Sequence, residues 1–158
     1  MKSIIKRRVG FVEQIGRAFD RRLLMYLEFR HQQHLRKGLP QICISSFDHI
    51  GMHVNYFGRY ENALLTPAME FISSNFPEAL KNSAIDAGAN IGNHTIFFAD
   101  FFKNVFSFEP ALRTFDILKM NIRGLSNVKA INKGLSDSSR SDNIVMSDIN
   151  QGAARISI

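Results

Sequence analysis

Apolar positions at the start of the chain follow a helical period. Val12, Ile15, Phe19, Leu23, Tyr26 and Leu27 recur at three- and four-residue steps, while Arg17, Arg21 and Glu28 fall elsewhere on the wheel. This spacing predicts an amphipathic helix, and Gly38 and Pro40 stop it. Two strand-like runs follow, Ile42 to Phe47 and His53 to Phe57, separated by Asp48, His49, Ile50 and Gly51. They read as a hairpin. Thr66 is placed to cap a helix with Pro67 at its first position, and Leu65, Met69, Ile72 and Phe76 give that helix one apolar face before Pro77.

The pattern then changes. Ser83 to Ile85 is a short apolar strand, Asp86 to Gly92 a glycine-bearing loop, and Asn93 to about Phe102 an apolar helix. Val105 to Phe108 reads as a second strand ending in Glu109 and Pro110. Leu112, Phe115, Leu118 and Ile122 stripe another helix, and Val128 to Asn132 makes a third strand. From Ile85 to Val105 is 20 positions and from Val105 to Val128 is 23. That repeat is the one expected when each strand is followed by a crossover helix, which makes the pairing parallel. The predicted architecture is α/β, a βαβαβ half of a doubly wound sheet, with one more strand near Asn143 to Ser147.

Composition narrows the class. In 158 residues, 45% hydrophobic and 22% charged, there is room for one ordinary domain or a fragment of one, with a packed core. The net charge of +6 suggests nucleic acid or an anionic surface until the charges are located. Residues 1–37 carry ten Lys or Arg against Glu13, Asp20 and Glu28, leaving ten basic and eleven acidic residues beyond them. The division is therefore a basic amphipathic extension over 1–40 and a nearly neutral partial domain over 41–158. A basic helix of this kind can lie on an anionic membrane or pack on its own domain or a second chain, whereas nucleic acid is not expected as a partner of the chemistry.

The longest apolar run in the N-terminal region, Leu23 to Leu27, is far short of a bilayer span, and the start lacks a signal-peptide core. With one cysteine, Cys43, no internal disulfide can form. The expected compartment is the cytoplasm. His31 and His34, like His49 and His53, lack a third ligand nearby in sequence, and no metal site is expected.

In open parallel sheets a ligand sits beyond the carboxyl ends of the strands, where a glycine loop admits it and the next helix offers free N–H groups. Gly88 and Gly92 are placed for this. Glu109, 23 positions after Asp86, stands where an acid accepts both hydroxyl hydrogens of a ribose. Neither G-x-G-x-x-G nor G-x-x-x-x-G-K-[ST] is present, so the pattern fits a cofactor with a ribose and no phosphate, S-adenosylmethionine, better than NAD or a nucleoside triphosphate. Taken singly, Asp86 and Glu109 also suit strand ends bonded to loop amides, and the glycines a tight turn.

The runs IDAGANIGNHT at 85–95, FSFEP at 106–110, NIRGLSNV at 121–128 and NKGLSD at 132–137 together resemble the FkbM family of S-adenosylmethionine-dependent methyltransferases. GRYE at 58–61 and QGAARIS at 151–157 resemble its outer segments, and the first 40 residues lie outside the likeness. The resemblance implies a Rossmann-like class I methyltransferase fold and methyl transfer to a hydroxyl oxygen of a sugar or small metabolite. It implies that Asp86 holds the amino-acid portion of the cofactor, that Gly88 allows close backbone approach, and that Glu109 holds the ribose. Asn90 keeps the family's own residue, Gly92 completes the loop, and Leu135, Ser136 and Asp137 lie where the adenine ring goes.

His94 is a residue that can approach the substrate or lie exposed in a first helical turn, and Glu61 one that can cover the cofactor or begin a helix. Phe97, Phe98, Phe101 and Phe102 read as core against the sheet. A full fold places a fourth strand beside the first and an acidic segment resembling D-x-E-G downstream, so the chain is expected either to be a truncated copy or fragment or to have its sheet completed by an oligomer or second chain, with little transfer activity of its own. The competing functions are a non-catalytic cofactor-binding or interaction subunit and, disfavoured by the glycine spacing, half of an NAD-type oxidoreductase.

Overall fold

A computed structural model describes residues 11–45, 48–139, 144–145 and 155–156. The chain divides into two compact units, Met1–Leu39 and Pro40–Ile158.

The first unit holds one helix, α1 (Phe11–Arg36). Its end is built by Gly38 at φ +68°: the Gly38 N–H donates to the Leu35 carbonyl at 3.0 Å and the Leu39 N–H to the His34 carbonyl at 3.1 Å. This paired closure satisfies two carbonyls that the helix leaves over.

In the second unit, Cys43 and its neighbours are not a strand, and the predicted hairpin is replaced by helix α2 (His49–Phe57). Residues 46 and 47 of the expected first strand lie outside the described residues. The His-Val-Asn-Tyr-Phe run favours strand locally, but the context wins. The Asp48 carboxylate caps the first turn by accepting the Gly51 N–H at 3.4 Å, Gly51 and Val54 are buried three positions apart, and Gly58 ends the helix at φ +83°. A Cβ on Gly51 would stand 2.6 Å from the Ser45 carbonyl oxygen, so the glycine is what lets segment 41–45 approach α2. The Asn121 side chain substitutes for the missing strand partner: its Oδ1 accepts the Cys43 N–H at 2.6 Å and its Nδ2 donates to the Cys43 carbonyl at 2.9 Å.

Helix α3 (Asn62–Asn75) begins one turn before the expected Thr66 cap, after Glu61 in the left-handed region at φ +55°. Pro67 therefore sits inside the helix, where its missing N–H removes one intrahelical bond. Burial of Leu65 and Met69 on the inner face offsets that loss.

The centre is a three-stranded parallel sheet, β1 (Ser83–Ala87), β2 (Asn104–Phe108) and β3 (Val128–Ile131), in that order, with Ile85 opposite Phe106 and Val105 opposite Val128. The crossovers are α4 (Asn93–Ala99) and α5 (Leu112–Asn121). The described core is thus a Rossmann-like βαβαβ unit, as the spacing predicts. Two boundaries move. Helix α4 stops at Ala99, and β3 stops before Asn132, whose side-chain amide donates instead to the Glu109 carbonyl at 2.8 Å.

Strand alternation sorts the faces. Asp86, Val105 and Ser107 are buried, whereas Ile85, one position from Asp86, is 65% exposed. One cluster joins Ala89, Ile96, Leu118 and Ile122. A second joins Leu65, Met69 and Phe97, with Phe98 and Phe102 packed on it. Of the four aromatics expected in the core, Phe97 is buried with Leu65 and Met69, Phe98 and Phe102 pack on that cluster, and Phe101 is exposed. Strands β4 (Ile144–Val145) and β5 (Arg155–Ile156) pair antiparallel in a separate ribbon. Of the expected strand at Asn143 to Ser147, the positions flanking β4 lie outside the described residues, as does most of QGAARIS. Among the described residues no strand pairs with the outer edge of β1.

Candidate cofactor site

The loop from Asp86 to Gly92 leaves β1 and turns over the end of β2. The Gly88 and Ala89 N–H groups both donate to the Phe108 carbonyl, at 2.9 and 3.0 Å, so the loop is pinned to the strand beside it. Three of its residues are left-handed, Gly88 at φ +78°, Asn90 at φ +50° and Gly92 at φ +91°. Asn90 is the one residue of the three with a side chain, and Asn tolerates this region better than most.

The two glycines differ in what they face. Nothing stands within 4 Å of the position a Cβ would take on Gly88, whereas on Gly92 it would meet Leu118 Cδ1 at 2.7 Å. Gly88 thus keeps an open approach, and Gly92 lets α4 close onto α5.

Both carboxylates are buried at strand ends. Asp86 Oδ2 accepts the Thr95 hydroxyl at 2.6 Å, and Thr95 Oγ1 lies 2.9 Å from Ser107 Oγ. That chain of three side chains ties β1, α4 and β2 together. Glu109 Oε2 accepts the Asn90 N–H at 2.9 Å and Oε1 the Ala111 N–H at 2.8 Å. Glu109 therefore faces the glycine loop and bonds loop amides, which was the simpler reading of its position. Each oxygen retains a second acceptor site. Thr95→Val is expected to lower stability by about 1.5–3 kcal/mol, because a buried carboxylate loses its hydroxyl donor; denaturant unfolding of the two proteins measures it.

A cleft of about 230 Å³ opens over the backbone of Gly88 to Ile91, walled by His49, Ile50, Tyr60, Asn93 and His94. Asp86, Gly92 and Glu109 are not among its lining residues. Ser136 and Asp137 do not line it either. Asp137 is exposed, and the hydroxyls of Ser136 and then Ser138, each 3.1 Å from its Oδ1, hold its carboxyl below the usual carboxylate range.

Tyr60 and Asn93 were not singled out from sequence. Asn93 clamps the Tyr60 backbone, Oδ1 accepting its N–H and Nδ2 donating to its carbonyl, each at 3.0 Å. GRYE and the residue after Gly92 contained these two positions, but nothing in a 33-residue separation announces their pairing. The Tyr60 ring lies against His49, His53 and, stacked, His94, with centroids 5.9, 5.5 and 6.4 Å away. Partial burial pushes the Tyr60 phenol above its ordinary range, and a hydrogen bond to Glu61 and the charges of Glu61 and Asp48 push the same way. His94 Nε2 lies 3.1 Å from Glu61 Oε2, at ion-pair distance but out of line for a hydrogen bond.

No protein-family model matches the chain, and no curated protein matches it. Solved structures do. The 23S rRNA methyltransferase ErmE is 20% identical over 48% of this chain and 29% of its own, with a TM-score of 0.40. An S-adenosylmethionine-dependent methyltransferase of Leishmania major is 17% identical over 59% of this chain and 39% of its own, with a TM-score of 0.41. Phosphoethanolamine N-methyltransferase 1 of Haemonchus contortus, in complex with phosphoethanolamine and S-adenosylhomocysteine, is 20% identical over 51% of this chain and 17% of its own, with a TM-score of 0.37. The likeness is partial on both sides: the chain spans well under half the length of each.

Arg59 is buried with its guanidinium 4.5 Å over the Phe97 ring, and its Nε and Nη1 lack hydrogen-bond partners among the described residues. Burial lowers its basicity and the charge of Asp100 works against that. Stacking on an aromatic face is how a guanidinium is accommodated under such cover.

Proposed function

We propose that the second unit is the cofactor-binding half of an S-adenosylmethionine-dependent methyltransferase of the FkbM type, whose acceptor is a hydroxyl of a sugar or small metabolite. The observation that carries this reading is the meeting of the two strand ends. A left-handed loop after β1 keeps an open side at Gly88, and the carboxylate after β2 reaches that same loop at Asn90.

The residues fit the cofactor at one end. A volume of 230 Å³ is below the roughly 300–1,000 Å³ of ordinary ligand pockets, enough to enclose the amino-acid end against Gly88 to Ile91. The remainder would run past the Glu109 strand end toward 134–137. When bound, the sulfonium supplies the electrophilic methyl group. The chain's part is to bind and orient it, Glu109 offering its remaining acceptor sites to ribose hydroxyls while its amide bonds hold the loop in shape. The acceptor and its base are not among the residues assigned.

Equilibrium dialysis of the full chain with labelled S-adenosylmethionine tests the reading. Retention that unlabelled S-adenosylhomocysteine displaces, and NAD does not, is the expected result. Displacement by NAD alone would move the site to the dinucleotide class, and no retention would remove the cofactor assignment. Retention without transfer to any hydroxylated acceptor is what the non-catalytic subunit reading requires.

A further inference from the structure

Helix α1 carries a row of large apolar side chains with no role in the proposed cofactor site. Ile15, Phe19, Leu23 and Tyr26 follow at helical spacing and all are exposed, Phe19 by 66%. Met25 and Phe29 add exposed apolar surface beside this row, and Leu24 is exposed on another side of the helix. Scattered apolar residues on a surface need no explanation, but a contiguous row does. The same part of the sequence, residues 1–37, holds ten of the basic residues and three of the acidic ones. Arg22 borders the row, and Arg21 and Arg36 are exposed further round the helix.

Apolar side chains and positive charge on one helix select among partners. A second copy would cover the apolar row but bring two strongly positive segments together. A nucleic acid would meet the arginines and leave the apolar side chains in water. An anionic bilayer surface satisfies both, taking the apolar row into the headgroup boundary while long arginine stems reach the phosphates. Spanning is excluded for the described helices, none of which is long and apolar enough to cross a membrane.

We propose that α1 is a membrane-surface helix that lays Ile15, Phe19, Leu23 and Tyr26 into an anionic bilayer interface, with Arg21, Arg22 and Arg36 at the headgroups.

The test is flotation of the full chain with vesicles of phosphatidylcholine alone or mixed with phosphatidylglycerol. The chain is expected to float with the mixed vesicles, to stay behind with neutral ones, and to be partly released by salt. Arg21→Gln with Arg22→Gln should weaken partition roughly 25-fold, about fivefold per arginine, and Phe19→Ser with Leu23→Ser should abolish it. These positions are exposed, so circular dichroism should show unchanged helix in both variants, and retention of S-adenosylhomocysteine should not change. Absence of flotation with anionic vesicles, or equal flotation with neutral ones, overturns the proposal. So does loss of self-association in the Phe19/Leu23 variant without any vesicle binding, which would make the row an interface between copies.

Discussion

Replacing Gly92 by Ala is expected to destabilise the second unit by about 2–4 kcal/mol, combining the cost of a left-handed non-glycine residue with overpacking of a closed core. The added Cβ would stand 2.7 Å from Leu118 Cδ1, and Leu118 is fully buried, so it has little room to yield. A double-mutant cycle makes the cause specific. Leu118→Ala alone should cost about 2–5 kcal/mol through the cavity it leaves, and the double variant should be more stable than the sum of the two single losses by roughly 1 kcal/mol or more. Additive losses would mean that the two residues do not share the space, and that Gly92 is required by its backbone angle alone.

Glu109 should be the most sensitive position for ligand binding. Glu109→Ala removes the acceptors of the Asn90 and Ala111 N–H groups, and with them the fixed shape of the loop and the acceptors proposed for a ribose. Charge-assisted bonds of this kind contribute about 1.5–3 kcal/mol, so S-adenosylhomocysteine affinity should fall roughly ten- to hundredfold. Glu109→Gln should be nearly as damaging despite its equal size, because its NH₂ group must face one of the two N–H donors. Calorimetry on the three proteins decides this. A glutamine variant that binds like the native chain would show that the paired acceptors are not what holds the loop or the ligand.

What was legible in the sequence was the part governed by local pattern and spacing. The 20- and 23-position strand repeat implies parallel pairing with crossover helices, and β1, β2 and β3 stand in that arrangement. Asp86 and Glu109 were located at strand ends because the apolar runs stop there. Contacts between distant residues were not legible. Helix α2 forms from a strand-prone run because Asp48 caps it and Gly51 admits the Ser45 carbonyl, neither of which a propensity registers.

The start of α3 departs from the local pattern for a related reason. Pro67 suits a first helical position, but the chain turns earlier, at Glu61 in a left-handed conformation that glutamate rarely announces. The loop pattern makes Gly92 a cofactor-site candidate, and the close approach of Leu118 Cδ1 adds a packing requirement that no local pattern shows. Asn93 and Asn121 use side-chain amides to pair with backbone 33 and 78 positions away, and no local rule anticipates such clamps. Ser136 and Asp137 form a local hydroxyl and carboxylate cluster outside the cleft lining, so their link to an adenine ring rests on the family resemblance.

We propose the left-handed loop after β1 as the place where the cofactor binds. Amide hydrogen exchange of the full chain, with and without S-adenosylhomocysteine, reads that loop directly. Slowed exchange confined to residues 88–91, the Tyr60 segment and the stretch after Glu109 is the expected result. Protection elsewhere, with exchange at Gly88 to Ile91 unchanged at a ligand concentration that saturates binding, would contradict the account.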